Sequence, residues 1–261
     1  MEVNVLKVAE DKDFMRLIYL SDNHDDWNVV YSKKQCNVWT KSTMQTNFKM
    51  IKVRTEFNDV SAYNVYDVLH DPEYRREWDK FMIDCEDIGC LNPNNDVFYY
   101  SIKSLPPLRN RDFVLQRSWL ETMTEMMIIN HSVCHDKYPP RKGFIRALSH
   151  LTGYLIRPLG DTNCQVTYIT QTDPRGDLPN WVVNKITTII TPKVIKKLHQ
   201  VCLVYPLWKS QHNARYKPWI YPEQMTMPRL NPSLCKPRDY GNNEIVDEKH
   251  ASNRSLASIG Y

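Results

Sequence analysis

An α+β fold, a curved antiparallel sheet wrapped around one long C-terminal helix, is predicted by three features of the chain. Three strand-like runs come early, at 27–32, 36–41 and 48–57. Between 82 and 172 six more follow one another, separated by the turn signals NPNN, SLPPLRN and LGDTN. From 179 to 205, PNWVVNKITTIITPKVIKKLHQVCLVY carries one apolar stripe, in which Val182, Ile186, Ile189, Val194, Leu198, Cys202 and Tyr205 continue from Leu178. A sheet and a helix with one apolar face each bury both by packing together.

The elements are justified in order. In KDFMRLIYL (12–20), Phe14, Leu17 and Ile18 share one face of a short helix. In FKMIKVRTEF, Phe48 and Met50 lie opposite Ile51 and Val53, the alternation of a half-buried strand. Helical spacing returns from Ser61 to Leu69, and Pro72 opens a second short helix, PEYRREWD, at a position whose N–H would be unpaired anyway. The later strands are placed at 82–90, 96–103, 111–121, 125–135, 144–157 and 164–172. In the long helix Pro192 is expected to make a kink. Beyond Tyr221, prolines at 222, 228, 232 and 237 and a polar end predict a mostly disordered or loosely draped tail. The chain thus divides into an N-terminal helical segment (1–24), one domain (25–221) and a tail (222–261).

Composition removes several functions. The formal net charge of +4 permits contact with an anionic membrane but falls short of a nucleic-acid-binding signature. With seven glycines and neither GxGxxG nor GxxxxGK[ST], the usual cradles for nucleotide phosphates are missing. Seven scattered cysteines without a CxxC pair, and a start (MEVNVLKVAEDKDF) unlike a signal peptide, favour a reduced, cytoplasmic setting. No apolar run approaches the ~18 residues that span a bilayer, so membrane contact is expected to be peripheral.

Arg75 and Asp79 stand one helical turn apart in DVLHDPEYRREWDKF, ahead of aromatic-rich strands. Such an arginine in a pocket suits an anionic group, because a guanidinium donates two parallel hydrogen bonds to a phosphate. The ordinary alternative is an exposed i, i+4 ion pair, worth a few tenths of a kcal/mol.

The segments YDVLHDPEYRREWD, SLPPLRNRDF, KYPPRKGFIRA, DPRGDLPNWVVNK and YKPWIYPEQ resemble a START domain of the phosphatidylcholine-transfer-protein-like branch, over about residues 25 to 222. The resemblance implies a helix-grip fold that encloses a hydrophobic tunnel, and intracellular carriage of one phospholipid between membranes. It places the lipid phosphate on Arg75 and Asp79, and the family's aromatic choline cage on Tyr100, Phe113 and His150, with Ile102 and Thr152 lining the same region. Two carbocyclic rings and a histidine do not reproduce the Trp, Tyr, Tyr cage of the choline-selective carriers. Room is therefore left for phosphatidylethanolamine beside phosphatidylcholine. The kinked helix is the expected lid, with Trp181, Lys185, Lys193, Lys196 and Lys197 meeting an anionic leaflet.

No catalytic signature is present: neither GxSxG nor HExxH occurs. His131 and His135 fall on a strand and the turn after it, so helical zinc spacing does not apply. No enzyme activity, metal or cofactor is expected, and a monomer is favoured. The alternatives are a lipid sensor that signals through its tail, and a sterol or fatty-acid carrier. The Arg75 and Asp79 pair argues against a sterol.

Overall fold

The computed structural model describes residues 1–33, 36–44, 48–104, 106, 108–176 and 190–238. Its elements are α1 (Asp11–Asp22), β1 (Asn28–Lys33), β2 (Cys36–Lys41), β3 (Met50–Phe57), α2 (Ala62–His70), α3 (Pro72–Trp78), β4 (Met82–Asn92), β5 (Asn95–Ile102), β6 (Asn110–Glu121), β7 (Met126–Ser132), β8 (Phe144–Arg146), β9 (Leu148–Pro158), β10 (Cys164–Asp173) and α4 (Thr191–Gln211). The strands form one sheet in the order β1-β2-β3-β10-β9-β7-β6-β5-β4, antiparallel throughout, with β8 alone pairing in parallel beside β6. The run expected as one strand at 144–157 is divided. Phe144, Ile145 and Arg146 register with Asn110, Arg111 and Asp112, and only from Leu148 does the chain join β10.

Register and burial separate two faces. On the concave face Val38, Val53, Val166, Ile156 and Ile128 form one core with Val65, Tyr66 and Leu69 of α2 and Ile195, Leu198, Val201 and Tyr205 of α4. On the convex face α1 buries Phe14 and Leu17 against Met127, Ile129, Leu155 and Ile169. Gly153 permits that approach: a Cβ there would lie 2.6 Å from Leu17 Cδ1.

Lys52 fixes the end of α1. Although 0% exposed, its Nζ donates to the carbonyls of Leu20 (3.0 Å) and Asn23 (2.6 Å) and lies 4.3 Å from the ring centre of Trp27. A cation at a helix C-terminus is favourable, yet burial, the largest influence, pulls Lys52 from its ordinary 10.5 to about 8. Below pH 8 the amine is charged in both folded and unfolded chains. Between 8 and 10.5 the folded chain holds fewer protons, so stability relative to Lys52→Met is expected to rise with pH across that window. Chemical denaturation of both proteins at pH 7 and pH 10 checks this; an unchanged difference contradicts it.

Two expectations need correction. The long helix reaches Gln211 and not 205; Pro192 stands in the first turn of its described part, and the interior proline is Pro206. Residues 177–189, with Trp181 and Lys185, lie outside the described residues. The chain after 222 is not loose as far as Arg238. Cys90 N–H donates to Pro228 O and Leu230 N–H to Cys90 O, both at 2.9 Å, and Leu230 packs on Val97, Tyr99 and Val114. Edge strand β4 offered unpaired backbone groups that this proline-rich segment satisfies. Gly89 makes room for it, since a Cβ there would lie 2.9 Å from Pro228 O. Residues 239–261 lie outside the described residues.

Candidate functional site

Helix α3 carries Arg75 to the concave side. Asp71 caps its start, accepting the N–H groups of Glu73 and Tyr74 at 3.1 Å each, and Pro72 follows. Arg75 Nη2 donates to Leu69 O at 3.0 Å, Nη1 lies 3.9 Å from Asp79 Oδ2, and the guanidinium sits 5.7 Å from the ring centre of Trp78. Burial works against the charge, but Tyr100 and Asp79 outweigh it and hold Arg75 above its ordinary value. Asp79 is more heavily engaged. Its Oδ1 accepts the N–H groups of Phe81 and Met82 at 3.2 Å, and its Oδ2 accepts the Tyr100 hydroxyl at 2.6 Å. Asp79 therefore fixes the α3–β4 turn and holds Tyr100. Arg75, with five N–H donors, makes one hydrogen bond among the described residues. The spare donors are the chemistry of the site.

Tyr100, Phe113 and Ile102 come together on one face. Tyr100 is the register partner of Phe113, and both pack with Ile102, Phe98 and Leu115. Thr152 lies across the sheet, in a hydroxyl chain in which Ser149, Thr152, Thr170 and Thr172 are joined in sequence by 3.0 Å hydrogen bonds. One layer further along the same strands, Tyr154 and Tyr168 face each other at 4.8 Å, and Tyr154 feels the charge of Arg75. Two residues along a strand cover about 6.6 Å. The threonine layer thus stands about that far along β9 and β10 from the tyrosine pair.

His150 occupies a β-bulge: Leu151 pairs with Gln171 and Ser149 with Thr172, which leaves it as the extra residue. Burial pushes its pKa below the ordinary value, with Asp173 opposing and Arg175 adding to the shift, which favours the neutral imidazole.

Sequence reasoning missed a second charged pair on this face. Arg117 of β6 grips Asp96 of β5 with both arms, Nε to Oδ1 at 3.1 Å and Nη2 to Oδ2, and lies between the rings of Phe98 (5.5 Å) and Trp119 (5.3 Å). Its signal was an arginine in phase with Phe113, Leu115 and Trp119 along one strand face. Asp96 is 1% exposed, whereas the Arg117 side chain keeps 20% and that of Arg75 keeps 27% of its surface accessible. Both arginines keep this surface amid buried neighbours. Arg111 was missed as well. It donates to the carbonyls of Arg109, Pro174 and Arg175, joining the β5–β6 loop to the chain that leaves β10.

On α4, Lys193, Lys196 and Lys197 are exposed together with Val194, Leu203, Val204 and Leu207, and the helix contains no acidic residue. His131 Nε2 meets Val5 O at 2.9 Å, while His135 Nδ1 accepts the N–H of Lys137 at 3.2 Å. The two histidines share no ligand geometry, and among the described residues no His, Cys, Asp and Glu cluster suits a metal. No helix among these residues is long and apolar enough to cross a membrane.

A ten-stranded curved sheet closed by a C-terminal helix, with ionic groups on its concave face, defines the helix-grip class. The START domain model matches residues 6–206, and the chain belongs to the START domain family. It is 43% identical over 244 residues to START domain-containing protein 10 of Mus musculus and of Homo sapiens, covering 93% of this chain and 84% of each relative. The crystal structure of human STARD10 matches with a TM-score of 0.85 at 43% identity, over 90% of this chain and 96% of that one. The phosphatidylcholine transfer protein of Bos taurus is 25% identical over 183 residues, 69% of this chain and 85% of that protein.

Proposed function

We propose that the protein binds one phospholipid, phosphatidylcholine or phosphatidylethanolamine, and carries it between intracellular membranes without chemically altering it. The observation that carries this reading is Arg75: a guanidinium that makes one hydrogen bond among the described residues and stands beside the apolar cluster of Tyr100, Phe113 and Ile102 on the concave side of the sheet. The kinship with the phosphatidylcholine transfer protein supports it.

Enclosure is what the energetics demand. A two-chain phospholipid has about thirty chain methylenes at roughly 0.8 kcal/mol each. Bare exit from a bilayer therefore costs on the order of 20 kcal/mol, which only a closed apolar tunnel offsets. The phosphate meets Arg75. Asp79 keeps the Tyr100 hydroxyl fixed, so that the Tyr100 and Phe113 rings present to the head group. Two ring faces suit a quaternary ammonium. Neutral His150 and the hydroxyls around Thr152 offer acceptors that a primary ammonium uses and a choline leaves idle. This second observation favours ethanolamine alongside choline.

The exposed lysines and apolar residues of α4 fit transient docking on an anionic leaflet. We place the protein in the cytoplasm, monomeric and peripheral to membranes.

Native mass spectrometry with lipid extraction on protein purified from cells tests the function. About one diacyl phospholipid per chain is expected. A sterol, a fatty acid or an empty protein contradicts the proposal. Vesicle-to-vesicle transfer tests the docking in the same preparation: reversing Lys196 and Lys197 to Glu is expected to slow delivery to anionic vesicles several-fold, and equal rates refute the docking face.

A further inference from the structure

The helix that presents Arg75 is fastened to α4. Asp71 is 1% exposed, and its carboxylate is fully used. Oδ1 caps α3, while Oδ2 accepts the Lys209 ammonium at 2.8 Å and the Tyr205 hydroxyl at 3.1 Å. Lys209 is itself 5% exposed, a buried cation whose ionic partner among the described residues is this carboxylate, with the ring centres of Trp219 and Trp208 at 5.6 and 6.0 Å. Asp71 O accepts the N–H of Arg75 at 3.0 Å, and the Tyr74 hydroxyl donates to Val201 O at 2.8 Å. Three contacts thus bind the seven residues of α3 to the second half of α4. At its far end α3 meets the sheet through Asp79 and Tyr100.

We propose that Asp71, Tyr205 and Lys209 are positioning residues for phosphate capture, which couple the Arg75 guanidinium to α4. A helix as short as α3 has little stability of its own and takes its place from what holds its ends. A buried ion pair with every acceptor site filled has one favourable geometry, and losing it leaves a charge unpaired. Movement of α4 relative to the sheet therefore carries Arg75 with it and weakens its grip on a phosphate. The proposal deepens the phospholipid reading above and rests on it.

A neighbouring latch supplies the control. Asp67, one turn earlier on α2, accepts Lys217 Nζ at 2.6 Å and Trp219 Nε1 at 2.7 Å. Its carboxylate ties the segment after α4 to α2; toward α3 Asp67 offers only its backbone carbonyl, which accepts the Asp71 N–H at 2.8 Å and which a change at Lys217 leaves in place.

The test compares binding of a phosphatidylcholine with binding of the diacylglycerol bearing the same chains, which lacks the phosphate. Lys209→Met and Tyr205→Phe are expected to lower phosphatidylcholine affinity about tenfold relative to diacylglycerol. Lys209→Arg is expected to restore most of the loss, and Lys217→Met to leave the ratio unchanged. Equal losses for both lipids, or an equal shift in the Lys217 variant, overturn the proposal, because either result reports general loosening. Should Lys209→Met fail to fold, Tyr205→Phe, which removes only a hydroxyl, decides alone. Failure of the parent protein to bind phosphatidylcholine overturns the underlying phospholipid reading, whatever the variants do.

Discussion

Arg75→Met is expected to empty the protein of phospholipid while leaving it folded. Among the described residues the guanidinium makes one hydrogen bond, to Leu69 O, so its removal costs about 1 kcal/mol of stability. Asp79 keeps its two backbone N–H donors and the Tyr100 hydroxyl, and the α3–β4 turn survives. On the proposed reading the bound lipid, in contrast, loses the partner of its phosphate. Truncating one side of a desolvated, hydrogen-bonded charge pair costs about 2–5 kcal/mol. Affinity should therefore fall between about 30-fold and several thousand-fold. Loading from phosphatidylcholine vesicles, read by mass spectrometry, and thermal unfolding of the same sample separate the two effects. Retained phospholipid with an unchanged melting curve shows that the phosphate lies elsewhere.

Much of this fold was legible in the chain because its elements carry strong local signals. The alternation around Met50–Phe57 and the turn sequences between later strands fixed their places, since a strand with one buried face cannot slip by one residue without turning that face to water. The long helix was visible in its apolar stripe, but its end was not. A kink is expected at Pro192, beside residues that lie outside the described ones, and the described part continues through a second proline, Pro206, held where Tyr205 and Lys209 anchor the turn to Asp71. The segment after 222 looked loose because it is rich in proline and poor in apolar residues. Its order comes from the unpaired edge of β4, a partner that lies more than a hundred residues away in sequence.

The candidate site divides in the same way. Arg75 and Asp79 sit within one helix and its cap, so their spacing alone announces them, and Tyr100, Ile102 and Phe113 follow from strand phase. His150 does not follow from phase, because the bulge at 149–151 adds a residue that no local rule in this sequence marks. The threonine chain needs two strands brought into register, and the Asp96–Arg117 pair needs two more. Such constellations arise only when the sheet forms.

Arg117→Met is expected to be the most destabilising single change on the concave face. It leaves Asp96, 1% exposed, as an unpaired buried carboxylate, which costs about 3–5 kcal/mol and lowers the melting temperature by roughly 10 °C in a chain of this size. The reverse change is milder. In Asp96→Asn the arginine keeps its place between Phe98 and Trp119 and still reaches the accessible space, so a loss of about 1–2 kcal/mol is expected. The pair is asymmetric because only one partner has somewhere else to go. Acid should reveal this. Burial already pushes the Asp96 carboxyl above its ordinary value, with Arg117 opposing. Without Arg117 that opposition is gone, the folded carboxyl binds its proton more readily than the unfolded one, and stability rises as pH falls. The deficit of Arg117→Met against the parent protein should then shrink between pH 7 and pH 5. Adding Asp96→Asn should recover part of it at pH 7 and abolish this pH dependence. A single variant no worse than Asp96→Asn, or a deficit indifferent to pH, would mean that water reaches Asp96 and that this part of the concave face is wet.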